Sequence, residues 1–298
     1  MNNTQSESPV ENPGYNVSLV GVWGDEIEFK VEGERTIAYA AATNDPIAAH
    51  LDGTVAPPVF AVVPITMLMA ETTMSVVPDE LIMKILHGEH DFRFHRPIVP
   101  GDVLTVRGKV VGIEGKSSGT VVTTLLESRD ATGALVNEQY FTGFFRGGVF
   151  HGTVGEPSPA HAFDVALLER EPDAVSVQKI DADQTFRYAE PAGDPMPIHL
   201  DADFAREMGL PGIIVHGLCT IAFVSHALIN EFADGDSSRL KRLAVRLSSP
   251  ALPEQTLTTS TWAHGTTASG RASYAFETES DGGKYVVRDG LAEFTQGA

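Results

Sequence analysis

Cysteine is almost absent from this 298-residue chain, and the single Cys219 excludes an internal disulfide and any metal cluster built on cysteines. Bases are scarce as well. The chain holds 21 Lys and Arg against 40 Asp and Glu, a formal net charge of −19. Such a surface repels phosphate backbones and anionic membranes at long range, so no nucleic-acid partner and no membrane insertion are expected. An unbroken apolar run of membrane length is also missing. The longest candidate, Ile213 to Phe232, is interrupted by His216, Ser225, His226 and Asn230 and reads as a buried core helix. Met1 to Gly14 is polar, with neither a basic n-region nor an apolar h-region, so no secretory leader is expected and the reading is a cytoplasmic protein in a reducing compartment. What the chain does have is apolar mass: 42% of its residues are hydrophobic, enough for one large core or two ordinary ones.

The chain repeats itself. Glu26–Asp52 aligns without gaps on Val175–Asp201, with identical pairs Lys30/Lys179, Thr36/Thr185, Tyr39/Tyr188, Ala40/Ala189, Asp45/Asp194, Pro46/Pro195, His50/His199, Leu51/Leu200 and Asp52/Asp201. A second match follows in the same order, where Arg93, Pro97, Pro100, Leu104 and Thr105 answer Arg246, Pro250, Pro253, Leu257 and Thr258. Two matches at nearly one offset indicate a duplication. The join falls in the Gly- and Pro-rich stretch 147–164, dividing the chain into units 15–150 and 165–298.

Each unit shows one order of elements. A short strand (Glu26–Val31; Val175–Ile180) leads into a short helix holding the repeated Tyr-Ala; in the second unit Asp181 and Gln184 stand at capping-box spacing. A loop with Asp-Pro and His follows, then a long apolar helix near Val59–Val77 or His216–Phe232. Strands with β-branched alternation and turn residues complete each unit: Val103–Gly112, Thr120–Ser128 and Val136–Phe145 in the first, Leu240–Ser248, Thr256–His264, Ser269–Glu279 and Lys284–Phe294 in the second. One long helix per antiparallel sheet predicts an α+β fold in which each sheet wraps its helix, the two sheets pairing to remove one exposed edge apiece.

The candidate chemistry sits in the second unit, in the run Tyr188-Ala-Glu-Pro-Ala-Gly-Asp194-Pro-Met196-Pro-Ile-His199-Leu-Asp201. Pro195 and Pro197 predict a constrained, extended loop, able to turn Asp194 and His199 into one pocket. An imidazole beside a carboxylate is a workable acid/base pair near neutral pH. On the pair alone, a turn-capping aspartate and a histidine satisfying a loop carbonyl is the plainer reading. Downstream, Leu210-Pro-Gly-Ile-Ile-Val-His216-Gly217 opens the long helix, whose first N–H groups lack helical partners and suit a developing oxyanion. Gly217 lets a carbonyl approach the backbone, or alternatively allows tight helix–sheet packing. His216 reads first as a helix-start histidine of the core.

The run from Tyr188 to Gly217 resembles the hydratase-2 motif of MaoC-like (R)-specific enoyl-CoA hydratases and (3R)-hydroxyacyl dehydratases. Phe94-x-Arg96-Pro97-x-x-Pro100-Gly101-Asp102 is similar to the same family, and length and repeat match its double-hotdog type. The resemblance implies that Asp194 and His199 hold and activate a water and that the Gly217 amide binds the thioester oxygen. It implies that Tyr188, Met196 and His216 line the substrate site. It also implies an acyl-CoA or acyl-carrier thioester as substrate, a homodimer, and neither a metal nor a cofactor beyond the coenzyme A of the substrate. The family has Asn where this chain has Met196, and a thioether cannot replace an amide's donors.

The first unit keeps Asp45 and His50, but the position answering Gly217 is Val63 followed by Pro64, and the short helix before it is missing. It reads as a degenerate partner whose segment Val59–Met74 shapes the acyl pocket or simply fills the core. Arg239, Lys241, Arg242 and Arg246 form the densest basic run and are the candidates for the phosphates of coenzyme A, with a solvated strand end as the plainer reading. His87, His90 and His95 lack a motif that completes a metal site. Two other activities remain open: a hotdog thioesterase with Asp194 directing water at the carbonyl carbon, and a non-catalytic acyl-CoA-binding subunit.

Overall fold

A computed structural model describes residues 12–297. Most of the polar stretch Met1–Gly14, on which the expectation about a leader rested, therefore lies outside the described residues. The eleven strands are β1 (Ile27–Lys30), β2 (Ile85–Phe94), β3 (Val103–Lys116), β4 (Gly119–Arg129), β5 (Leu135–Arg146), β6 (Thr153–Gly155), β7 (Ala174–Lys179), β8 (Leu240–Leu247), β9 (Thr256–Thr266), β10 (Ala272–Ser280) and β11 (Lys284–Phe294). They form one antiparallel sheet in the order β1-β3-β4-β5-β2-β8-β11-β10-β9-β7, with β6 pairing β3. The first five strands and the last five repeat one connectivity, read from opposite ends.

The join is the β2–β8 pair, in which Asp91 faces Ala244. These two residues carry the same offset as Arg93/Arg246 of the repeat, so the relation between the halves passes through this rung of the ladder. The pairing removes two sheet edges, as expected. Charge locks it. Arg242 donates through Nε and Nη2 to the Asp91 carboxylate at 3.0 and 2.8 Å, and Asp91 is only 1% exposed.

The helices are α1 (Gly33–Ala42), α2 (Ala48–Leu51), α3 (Thr66–Met74), α4 (Gln184–Ala192), α5 (Ala202–Glu207) and α6 (Gly217–Ala233). α6 is buried on nearly every side, from Leu218 through Ile229, which is why its sequence is apolar all round instead of striped. It lies against β8, β11 and the segment Pro58–Ile65 of the first half. The long helix expected over Val59–Val77 is not continuous. Pro58–Ile65 winds as a 3-10 helix and α3 starts only at Thr66, because Pro64 contributes no N–H to the ladder. Val59, Phe60, Ala61, Val62, Val63 and Ile65 are nonetheless all core.

α1 and α4 meet across the same join. The Tyr39 and Tyr188 hydroxyls, 149 residues apart, lie 3.3 Å from each other, with ring centroids at 5.4 Å. The expected capping box forms by half: Gln184 Oε1 accepts the Asp181 N–H at 3.1 Å, while the Asp181 carboxylate is taken by Arg187 and Asn44. The stretch 147–164 is tied down on both sides, through β6 on β3 and through His161, whose Nδ1–H donates to the Asp289 carbonyl at 2.6 Å. No helix of the described residues is long and apolar enough to cross a membrane.

Candidate active site

The site is a loop between two helices. α4 ends at Gly193, whose left-handed φ of 73° turns the chain, and the Asp194 N–H closes on the Ala189 carbonyl at 3.0 Å. Pro195 and Pro197 then bar a regular helix, and Pro197–His199 makes a single 3-10 turn where the sequence suggested extended chain. Asp201 caps α5, accepting the Asp203 and Phe204 N–H groups at 2.9 and 3.0 Å, so its place in the motif is explained by local structure.

Three side chains converge. Nitrogen and oxygen atoms of Asp194, His199 and His216 all lie within 4.8 Å of one another. His199 Nδ1 donates to the Ile214 carbonyl at 2.8 Å, which fixes the tautomer and leaves Nε2 with its lone pair. His216 Nε2 donates to the Asp194 carbonyl at 3.0 Å. The two imidazoles stack at 3.8 Å, and the Tyr188 ring lies 4.8 Å from His216. The plain reading of the pair is thus realised too: His199 does satisfy a loop carbonyl, and Asp194 Oδ1 accepts the Met196 N–H at 3.3 Å. Neither contact uses His199 Nε2.

Burial sets the charges. It lowers the His199 pKa below the ordinary 6.5, outweighing the Ile214 hydrogen bond and the Asp194 charge that oppose it. Burial, reinforced by His199, pushes His216 down to about 3. Both rings are therefore neutral at pH 7. Stacked rings also direct their in-plane lone pairs along separate planes, a poor arrangement for sharing one ion. A carboxylate and a neutral imidazole nitrogen, near each other but joined by no hydrogen bond, suit a bridging water instead.

Gly217 opens α6 behind His216, and no protein acceptor takes its N–H among the described residues. A Cβ at Gly217 would stand 2.5 Å from Leu247 Cδ1, so close helix–sheet packing is part of its role as well. Met196 is 48% exposed at the rim.

The four bases of the second unit do not gather around this loop. Arg242 is committed to Asp91 and Glu293, Arg246 to Glu89 and Asp289, and Arg239 Nε donates to the Thr295 carbonyl. Arg239 and Lys241 make no ion pair among the described residues, and Lys241 lines a separate cleft. β-strand alternation separates it from Arg242. His90 is held by His87 and Gln139 inside the core, and His95 pairs with Glu138, so the three histidines do not converge. Nothing in the chain signals the Ile214 carbonyl, because a backbone group has no residue signature.

Comparison with known proteins places both halves of the chain in one family. Residues 164–282 match the model of the MaoC like domain, and residues 49–147 match that of the MFE-2 hydratase 2 N-terminal domain. The chain is 34% identical over 221 residues to a 3-hydroxyacyl-thioester dehydratase Y of Mycobacterium tuberculosis, covering 72% of this chain and 73% of that protein. It is 31% identical to a peroxisomal multifunctional enzyme type 2 of Drosophila melanogaster over 70% of its own length, and spans 36% of that longer protein. A crystal structure of a MaoC-like dehydratase from Phytophthora capsici superposes with a TM-score of 0.83 at 27% identity, over 95% of this chain and all of that one.

Proposed function

The chain belongs to the MaoC-like, hydratase-2 family and has its double-hotdog fold, and from that premise we propose that it is a hydro-lyase adding water reversibly across the C2=C3 bond of a trans-2-enoyl thioester. The product is a (3R)-hydroxyacyl thioester, and dehydration is the reverse. The observation that carries this reading is the Asp194–His199 pair, within one water's span of each other, with His199 Nε2 free and neutral.

In this mechanism a water held between Asp194 and His199 attacks C3. The pair takes one proton from it as the C–O bond forms and returns a proton to C2. Charge builds meanwhile on the thioester oxygen, which the Gly217 N–H and the start of α6 stabilise. Tyr188 and His216 carry no charge in this scheme. They hold the Asp194 backbone and the face of His199 in place. The first unit supplies a wall for the acyl chain from its core segment around Val59–Ile65, which abuts both α4 and α6. Coenzyme A is the handle of the thioester in this reading; of the four bases, Arg239 and Lys241 are the two without an ion pair among the described residues.

The test is stereochemical. Incubated with a short and a long trans-2-enoyl-CoA, the protein is expected to form only the 3R alcohol, and in reverse to dehydrate (3R)- but not (3S)-hydroxybutyryl-CoA. Dehydration of the 3S isomer, or inertness toward all four compounds, would overturn the proposal.

A further inference from the structure

The first half does not hold its Asp-Pro and His residues idle. Asp45 and His50 are 4% and 0% exposed. His50 Nδ1 donates to Asp45 Oδ2 at 2.7 Å, and Asp45 Oδ1 accepts the Ile47 N–H at 2.9 Å, which fixes the carboxylate. On the other side of the ring, the Ser237 hydroxyl donates to His50 Nε2 at 3.0 Å. Ser237 comes from the second half, 187 residues along the chain, in the short turn between α6 and β8. The counterpart of His50 in the duplication, His199, uses Nδ1 on a backbone carbonyl and leaves Nε2 open. In His50, Nδ1 is on a carboxylate and Nε2 is on a hydroxyl. The two halves thus hold one histidine in two chemically different settings.

We infer that Ser237, His50 and Asp45 form a second reactive centre, a serine nucleophile with its base and orienting acid, that takes short acyl esters or thioesters. The order hydroxyl, imidazole, carboxylate is what activates a serine, whatever the fold that carries it. Ser237 is 7% exposed and lines a narrow cleft whose walls include Pro57, Ala61, Phe94, Ile98 and Leu240. These apolar walls suit a small acyl group. Lys241 lines the same cleft, makes no ion pair among the described residues, and supplies a cation toward an acyl oxygen as it gains charge.

The step balances without any further reagent than water. Ser237 Oγ bonds the acyl carbon and passes its proton to His50 Nε2, while Asp45 holds the Nδ1–H of the resulting imidazolium. Collapse of the tetrahedral adduct breaks the bond to the alcohol or thiol, which leaves with the proton from His50. Water, deprotonated by the same nitrogen, then cleaves the acyl-Ser237 ester to give the carboxylic acid and the free serine.

The test uses the full chain with a fluorophosphonate probe, peptide mapping by mass spectrometry, and hydrolysis of p-nitrophenyl acetate. A single adduct on Ser237 is expected. Labelling and ester hydrolysis should be lost in Ser237→Ala, fall roughly a hundredfold in His50→Gln, and persist in Ser238→Ala, whose hydroxyl is tied to Asp236. His50 is deeply buried, so its variant is judged only if circular dichroism shows it folded. Ser237→Ala removes a single oxygen and decides the matter alone. No adduct, an adduct on another residue, or ester hydrolysis unchanged in Ser237→Ala would overturn the inference.

Discussion

His199 donates its Nδ1 proton to the carbonyl of Ile214, fifteen residues further on, at 2.8 Å. That contact makes a general base of the other nitrogen, and burial keeps the ring neutral by lowering its pKa below 6.5. Hydration should therefore stay at full rate on acidification through the ordinary histidine range. The acid limb of a plot of kcat/KM for crotonyl-CoA against pH is expected below 6.5. A limb at or above 6.5 would remove His199 from the role.

Gly217 is expected to separate packing from catalysis. In Gly217→Ala the new methyl meets the end of the Leu247 side chain, which is only half-buried and can swing aside. The stability loss should be about 1 kcal/mol, at the low end for overpacking. The rate should fall much more, roughly tenfold or beyond, because the methyl crowds the place of the thioester oxygen. Denaturant titration and steady-state kinetics on one preparation measure both, and equal hydration rates in the two proteins would refute the role given to its amide.

Arg242 tests whether the basic run binds substrate or joins the halves. Arg242→Gln leaves the buried Asp91 carboxylate with only the longer contact to Arg93, at 3.7 Å, and should cost about 3 kcal/mol of stability. KM for an enoyl-CoA should not change in the folded fraction. A raised KM at unchanged stability would return the residue to the coenzyme A site.

Stability should fall in acid. Burial lowers His216 to about 3 and His87 to about 4, whereas both take a proton near 6.5 once unfolded. The unfolded chain thus binds more protons between these limits, so stability is complete above pH 6.5 and is lost as the pH drops toward 4. His161 acts in the opposite sense: burial lowers its pKa, but Glu89 and the Asp289 carbonyl raise it overall. A melting temperature that declines from pH 7 to pH 4.5 is expected, and a flat profile would contradict it.

Much of this was legible in the chain. The repeated Tyr-Ala, Asp-Pro and His residues located both halves and the loop of the site, because a duplication leaves identities at one offset. The β8 to β11 strands and α6 were legible from alternation and apolar length. β2 was not: Ile85–Phe94 carries two histidines and three charged residues, since it lies in the centre of the joined sheet and pairs charge with Arg242 and Arg246. The broken helix over 58–74 was obscured because its apolar residues are core in either conformation. The Ser237–His50 contact joins residues of opposite halves, and only docking of those halves brings them together.

The most direct measurement of the central claim is hydration of crotonyl-CoA by the parent protein, Asp194→Asn and His199→Gln, following enoyl absorbance and free thiol together. Absorbance is expected to fall in the parent without thiol release, and each variant is expected to be slower by about a hundredfold or more. The double variant should be little worse than the poorer single one, because the two residues serve one water. Undiminished hydration in Asp194→Asn, or thiol release that depends on Asp194, would contradict the claim.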